Sequence, residues 1–411
     1  MDPLGESTRR FPLVARPRPA CQRLSTRAAE VTRLAHAAQA AAGAASLSLA
    51  AEAHNKAALI ASDCGLPGLA RDLCWRQFRI YQRAAPLEAA TAKLALQPVV
   101  NVARLAIRDG DGQGAYQLLD TLYQAISRTG TAVVDGQAVS FSDFTRSEDD
   151  HREVTQWLWT VLLGDGIRAL AQAGHWEKAL AHAEKHHGIG ARLLDGRQTA
   201  VIAHCTAGDP GTALSILRET TPGTAWEQAV ASCLNVICLN ATAQPAEAAI
   251  AAMAEHYLGS GPVPGLTVFR TRLGLTVLDL ANEAGHHRAA EARTRLISET
   301  LSASDGYAAR DILASQASSA RLTGDEQRAL SEFVRSAGLG TGTMPPELLA
   351  GLLSAAETCE ATVEKHARTQ KDCTSSQNAA DSIRTGPPAV RTDKCRLRLV
   401  HRIGRDQQQD R

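Results

Sequence analysis

Aromatic side chains are scarce: five Trp, five Tyr and six Phe make up 4% of the 411 residues. Sheets fill their pleated faces with Val, Ile, Tyr and Phe, whereas Ala, Leu and small residues suit closely packed helices, so the composition argues against an all-β fold. Long apolar runs are missing as well. None reaches the ~18 residues that cross a bilayer, and the opening stretch MDPLGESTRRFPLVARPRPACQR has no apolar segment between its Arg and Pro residues. Neither a membrane span nor a secretory leader is expected. The nine Cys are odd in number and follow no framework, which is the pattern of reduced thiols in a cytoplasm and not of disulfide staples. What remains is a chain with 44% apolar residues, enough for one large core or two or three ordinary ones.

Net charge is close to zero, with 44 Lys+Arg against 43 Asp+Glu, but the distribution is uneven. Residues 1–27 carry six Arg against Asp2 and Glu6, and residues 361–411 carry eleven Lys or Arg against six acids. Both ends are rich in Pro, Ser, Thr, Gln and Arg, and such segments cannot bury enough surface to offset the entropy of ordering. We therefore expect a disordered basic N-terminal arm over 1–27, a folded body over 28–360 and a disordered basic tail over 361–411. The tail shows no aromatic interleaving and no groove-reading module, so nucleic acid is not the expected partner. The ratio of 37 Arg to 7 Lys points to the codon bias of a high-GC bacterium.

The body contains an internal repeat. A small residue is followed five positions later by Ala: Gly65 with Ala70, Gly110 with Ala115, Gly174 with Ala179, Gly208 with Ala213, Ala243 with Ala248, Gly285 with Ala290 and Gly324 with Ala329, at spacings of 45, 64, 34, 35, 42 and 39 residues. Glycine ends a helix in a left-handed conformation at little cost, and Ala one turn into the next helix lets two backbones approach. In IRALAQAGHWEKALAHAEKHH, Ile167, Leu170 and Ala171 form one apolar stripe, and Trp176, Ala179, Leu180 and Ala183 form a facing one. Gly174, Trp176 and Ala179 stand where the tetratricopeptide repeat has its turn Gly, its aromatic residue and its small second-helix residue. The chain resembles the tetratricopeptide-repeat (TPR) superfamily over roughly residues 30–340. That resemblance implies an all-α, TPR-like α-solenoid of about seven helical hairpins, with a concave groove that binds a protein or peptide partner.

The longest gap holds SRTGTAVVDGQAVSFSDFTRSEDD, in which TAVV and QAVSF flank Asp135-Gly136. This pair suits a type I′ turn, so a small β-hairpin insertion is expected at about 127–150. In the helix that follows, Trp157 and Trp159 cannot face the same neighbour.

Candidate chemistry is sparse. Asp109, Asp111, Gln113, Gly114 and Asp120 follow a calcium-loop spacing, but the repeat register puts Ala115 inside a helix and leaves Asp111 as an N-cap. His182 and His186 are four apart on one helical face and offer a metal two ligands only. Gly188-Ile-Gly190, the glycines after Asp109 and those after Gly338 lack the rest of any nucleotide-binding pattern, and no Ser elbow is present. We expect no catalytic residue, metal or cofactor, and read the chain as a cytoplasmic, non-catalytic interaction scaffold with an accessory or regulatory role. Asn101, Arg104, Arg108, Asn235, Asn240, Arg270 and Arg272 interrupt apolar helical stretches, and all but Asn240 are taken as partner-binding candidates. Two alternatives remain open. One is an all-α enzyme with a groove site near His175, His182, His186, Asp149 and Trp157; the other is a peptide- or metabolite-responsive sensor.

Overall fold

The computed structural model describes residues 8–384 except residues 222 and 243, with side chains described as far as residue 369 apart from that of residue 317. It is mostly helical. In chain order the elements are α1 (Leu24–Ala40), α2 (Gly43–Asp63), α3 (Pro67–Arg83), α4 (Ala89–Arg108), α5 (Gly112–Ser127), β1 (Thr131–Val134), β2 (Gln137–Ser140), α6 (Glu148–Gln172), α7 (Trp176–Lys185), α8 (Asp195–Thr206), α9 (Pro210–Arg218), α10 (Ala225–Ala241), α11 (Glu247–Gly259), α12 (Thr267–Glu283), α13 (Arg288–Ala303), α14 (Gly306–Ala314), α15 (Gln316–Ser319), α16 (Gly324–Ser336) and α17 (Pro346–Arg384).

The turns follow from local chemistry. Gly65, Gly110, Gly174, Gly208 and Gly285 all have positive φ, between 64° and 86°. At each, the following residue donates to the carbonyl five positions back at 2.8–2.9 Å, as from Leu66 to Ala61 and from His175 to Leu170. This satisfies carbonyls that a helix end leaves open. After three of these turns the next helix starts with Pro at its first position, at Pro67 and Pro210, or with a side-chain cap, where Asp111 accepts from Gly114 N–H.

Four of the seven expected close contacts fall where the spacing places them: Ala70, Ala115, Ala179 and Ala213 are fully buried. The other three differ. After Gly285, α13 starts one residue later than its counterparts and buries Ala289, Ala292 and Leu296, leaving Ala290 exposed. Gly324 ends no helix; it is the first residue of α16, behind the capping box of Thr323 and Glu326, and Leu330 takes the buried position beside a half-buried Ala329. Ala243 lies outside the described residues, and Ala248 is exposed.

The hairpin insertion is as expected. β1 and β2 are antiparallel, with Thr131 opposite Ser140 and Val134 opposite Gln137. Asp135 and Gly136 both have positive φ, 51° and 73°, as a type I′ turn requires. Asp135 docks the tip by accepting from Trp75 Nε1 at 2.9 Å, while Phe141 and Phe144 pack around Phe78.

Each helix from α1 to α14 packs on the next, and the even-numbered helices α2, α4, α6, α8, α10, α12 and α14 also touch one another in series. One apolar core joins α1–α6 with part of α17; a second joins α6–α14 and α16 with the N-terminal segment. The chain also returns to its start. Gly340 and Gly342 N–H donate to the Asp63 and Cys64 carbonyls at 2.7 and 2.8 Å, so the glycine run after α16 caps α2. Arg27 and Tyr307 both donate to the buried Asp63 carboxylate, tying α1, α2 and α14 together.

Two expected boundaries are corrected. Residues 8–27 of the expected arm are not free: there the chain is held against the body, Phe11 and Leu13 are each 3% exposed, and α1 starts at Leu24. The boundary at 360 is crossed by α17, whose Leu352, Ala355, Ala356, Cys359 and Val363 recur at helical spacing and are buried in the first core. Glu360 pairs with His54 at 3.0 Å and Arg76 at 2.9 Å. A first compact unit spans residues 1–367; the second starts at Arg368 and, within the described residues, consists of the end of α17. Residues 1–7 and 385–411 lie outside the described residues. No described helix is long and apolar enough to cross a membrane.

Candidate functional site: a polar cavity and a docked N-terminal segment

A cavity of about 540 Å³ opens between α2, α3 and α4. Asn101, Arg104 and Arg108 line it together because positions i, i+3 and i+7 share one face of α4. The polar side chains brace one another: Asn101 Nδ2 donates to Asn55 Oδ1 at 3.0 Å, while Gln97 and Arg104 both donate to Asn101 Oδ1 at 3.2 Å. Arg104 also pairs with the buried Asp165 at 2.9 Å, and Arg108 donates to Ser62 at 3.2 Å. Apolar walls come from Ala51, Ala58, Leu59, Leu94 and Leu105, and Pro19 closes one side. A carboxamide and two guanidinium groups fixed over an apolar floor suit a ligand with both backbone amides and apolar side chains.

Pro19 belongs to the N-terminal segment, which forms no helix or strand from residue 13 to residue 23. Arg10 pairs with Asp279 of α12 at 2.5 Å. At Leu13 the fully buried Gln198 of α8 accepts the backbone N–H and donates to the backbone carbonyl, each at 2.7 Å. Arg16 pairs with Asp195 of α8 at 2.6 Å, Arg18 N–H donates to the Gly265 carbonyl at 2.9 Å, and Cys21 N–H donates to Asp305 at 3.2 Å. Burial pushes the Asp195 carboxyl above its ordinary range, and the Arg16 guanidinium opposes that shift.

The other partner-binding candidates are placed elsewhere. Arg270 is buried and engaged by Glu299, Ser260 and the Tyr257 carbonyl. Arg272 pairs with Asp311 at 2.8 Å beside Arg9 and Arg10 of the segment. Asn235 is half-buried on α10, and the neighbouring Asn240 is exposed. Sequence reasoning passed over Asn55, Asp195, Gln198 and Asp279. For Gln198 a signal was there: one carboxamide at the head of the apolar run TAVIA.

His182 and His186 are engaged by their own neighbours. The His182 and His186 rings lie 4.5 Å apart, but His182 Nδ1 faces the Tyr116 hydroxyl at 3.3 Å and its Nε2 faces the Leu162 carbonyl at 3.1 Å. Among the described residues, no hydrogen bond, ion pair or ring contact joins them to Asp149, which pairs with Arg152, or to Trp157, which packs on the first core. Trp159 faces another way, into a wide cavity of about 1110 Å³ beside the insertion. Asp120, which would close the calcium-loop spacing, sits two turns into α5, so that spacing forms no loop.

One His/carboxylate cluster, Glu247, His286 and His287, has ligand atoms within 4.8 Å of one another. There His286 Nδ1 accepts from Arg288 N–H at 3.2 Å. That fixes the proton on Nε2, the atom facing Glu247 at 3.4 Å, so a hydrogen bond and not a metal bond fits this ring. The seven described cysteines are free and buried. Burial pushes the Cys74, Cys233 and Cys359 thiols up to about 12, far from a thiolate nucleophile at neutral pH.

Burial, with repulsion from His186, holds His182 down to about 4. Above the free-imidazole value of ~6.5 the ring is neutral whether folded or unfolded; between there and 4 only the unfolded chain takes up the proton, so stability falls as pH drops through that window. The expected loss is about 2 kcal/mol after discounting for partial solvation. Denaturant midpoints at pH 7.5 and 4.5 should differ clearly less in His182→Gln than in the unaltered chain.

No family model matches the sequence, and no curated protein or solved structure is detectably similar to it.

Proposed function

We propose that the protein is a non-catalytic interaction scaffold, a TPR-like α-solenoid whose even-numbered helices present a concave groove to an extended peptide or a partner protein, in an accessory or regulatory role. The observation that carries this reading is Gln198, a buried carboxamide that pairs with both backbone groups of the N-terminal segment at Leu13. Such pairing reads main chain rather than one particular side chain, which is how a protein holds peptides of varied sequence. The Asn55, Gln97, Asn101 and Arg104 lattice offers the same chemistry at the adjoining cavity.

The test is selection of a phage-displayed random peptide library on the full-length chain carrying Arg10→Glu/Arg16→Glu, which weakens the hold of Asp279 and Asp195 on the N-terminal segment. Enriched peptides are expected to bind at micromolar Kd and to lose about tenfold or more in Asn101→Ala/Arg104→Ala, as removal of charge-assisted hydrogen bonds implies. A selection that enriches nothing, or peptides indifferent to both substitutions, would remove the reading.

A further inference from the structure

Resting on that reading, we infer that the N-terminal segment is the groove's own competing ligand, and that the partner it excludes is a peptide of the same chemistry, with Arg, an aromatic, an aliphatic two residues on and a second Arg three beyond, as in Arg10-Phe11-Pro-Leu13-Val-Ala-Arg16. The groove is complementary to this pattern at four points. Asp279 takes the first Arg, the second core takes Phe11 and Leu13, Gln198 takes the backbone at Leu13, and Asp195 takes the second Arg.

These receptors are oriented by the body as well as by the segment. Gln198 Nε2 also donates to the Leu193 carbonyl at 2.9 Å, and Arg168 stands 3.5 Å from Asp195 while holding Asp165 at 3.0 Å. A groove organised in this way remains ready for a second occupant when the first leaves. From residue 13 on, the segment brings no helix or strand of its own, and Pro19 ends against the open 540 Å³ cavity. A longer peptide in the same track would continue into that cavity, past Asn101 and Arg104. The two acids at the binding points give the groove a preference for basic peptides, and electrostatic complementarity of this kind sets which partner is admitted.

A tethered segment competes at an effective concentration on the order of 1 mM, so the intact chain should bind such a peptide only in the millimolar range. Freeing the segment removes that competition.

The experiment measures fluorescence anisotropy of a labelled synthetic peptide carrying residues 8–20 against three full-length chains: unaltered, Arg10→Glu/Arg16→Glu, and Leu13→Pro. The last removes the N–H that Gln198 accepts without adding charge, and circular dichroism establishes that both variants are folded. Both should bind the peptide about 100-fold more tightly than the unaltered chain, and a peptide with its two corresponding Arg replaced by Glu should not bind. Equal, weak binding by folded variants would overturn the inference. So would concentration-dependent dimerisation of the unaltered chain by light scattering, since the occupant would then be the segment of a second copy. If library peptides bind at Asn101 and Arg104 while this peptide does not, the inference falls alone; if neither binds, the scaffold reading falls with it.

Discussion

Arg27→Ala is expected to destabilise the protein by about 3 kcal/mol, seen as a lower urea midpoint followed by tryptophan fluorescence. The Arg27 side chain is 10% exposed and that of Asp63 is 3% exposed. Removing one partner of a buried pair leaves the other charged and poorly hydrated, a loss of ~3–5 kcal/mol. The lower end applies because the Tyr307 hydroxyl still donates to Asp63 and Arg108 stands 3.6 Å away. Adding Asp63→Asn should recover more than about 1 kcal/mol, since the stranded charge is then gone. A shift below about 1 kcal/mol in Arg27→Ala would place this contact among ordinary surface pairs. The contact matters because it joins the first helices to α14. In a stack where each unit touches only its neighbours, stability is a sum of local terms; here one cluster holds distant parts of the chain, and losing it should loosen both cores at once.

Nothing in the sequence announces that closure. Arg27, Asp63 and Tyr307 are each ordinary in their own helices, and their meeting depends on how far the chain turns over hundreds of residues. The local features were legible because their causes are local. A glycine with positive φ at the end of an apolar stripe, followed by a capped or Pro-led helix, is visible within ten residues, and so is Asp135-Gly136 between two short β-prone runs. Gly324 misled for a local reason too. Thr323 and Glu326 form a capping box around it, so it starts a helix rather than ending one.

The candidate site was legible in part. Asn101, Arg104 and Arg108 share a face of α4 by spacing alone, and that face borders the cavity. The N-terminal segment was misread because composition averages over its pattern. Its Arg and Pro residues lower the apolar fraction, but Phe11 and Leu13, on either side of Pro12, are both buried in the second core, and the acids that neutralise its Arg side chains sit far along the chain on α8 and α12. Entropy argues for disorder only when no surface elsewhere supplies the missing burial and charge.

Gly112→Ala tests how closely the hairpins pack. The repeat suggested that an Ala one turn into the second helix sets the approach, and Ala115 is indeed fully buried. The tighter point is Gly112, where an added Cβ would lie 2.1 Å from the Ala169 carbonyl oxygen and 3.1 Å from the Ala173 Cβ. Backbone cannot swing aside as a flexible side chain does, so α5 must shift off α6. Overpacking of this kind costs ~1–3 kcal/mol and sometimes more, and about 3 kcal/mol is expected here. Gly68, in the first turn of α3, is the control: an added Cβ meets nothing within 4 Å and its φ is not positive. Gly68→Ala should leave stability unchanged or raise it by ~0.4–1 kcal/mol through the unfolded state. Thermal midpoints of the two variants should therefore move in opposite directions, or one should fall while the other stays. Equal midpoints would mean that α5 and α6 have room to spare, and that the small residues in these turns do not set the helix spacing.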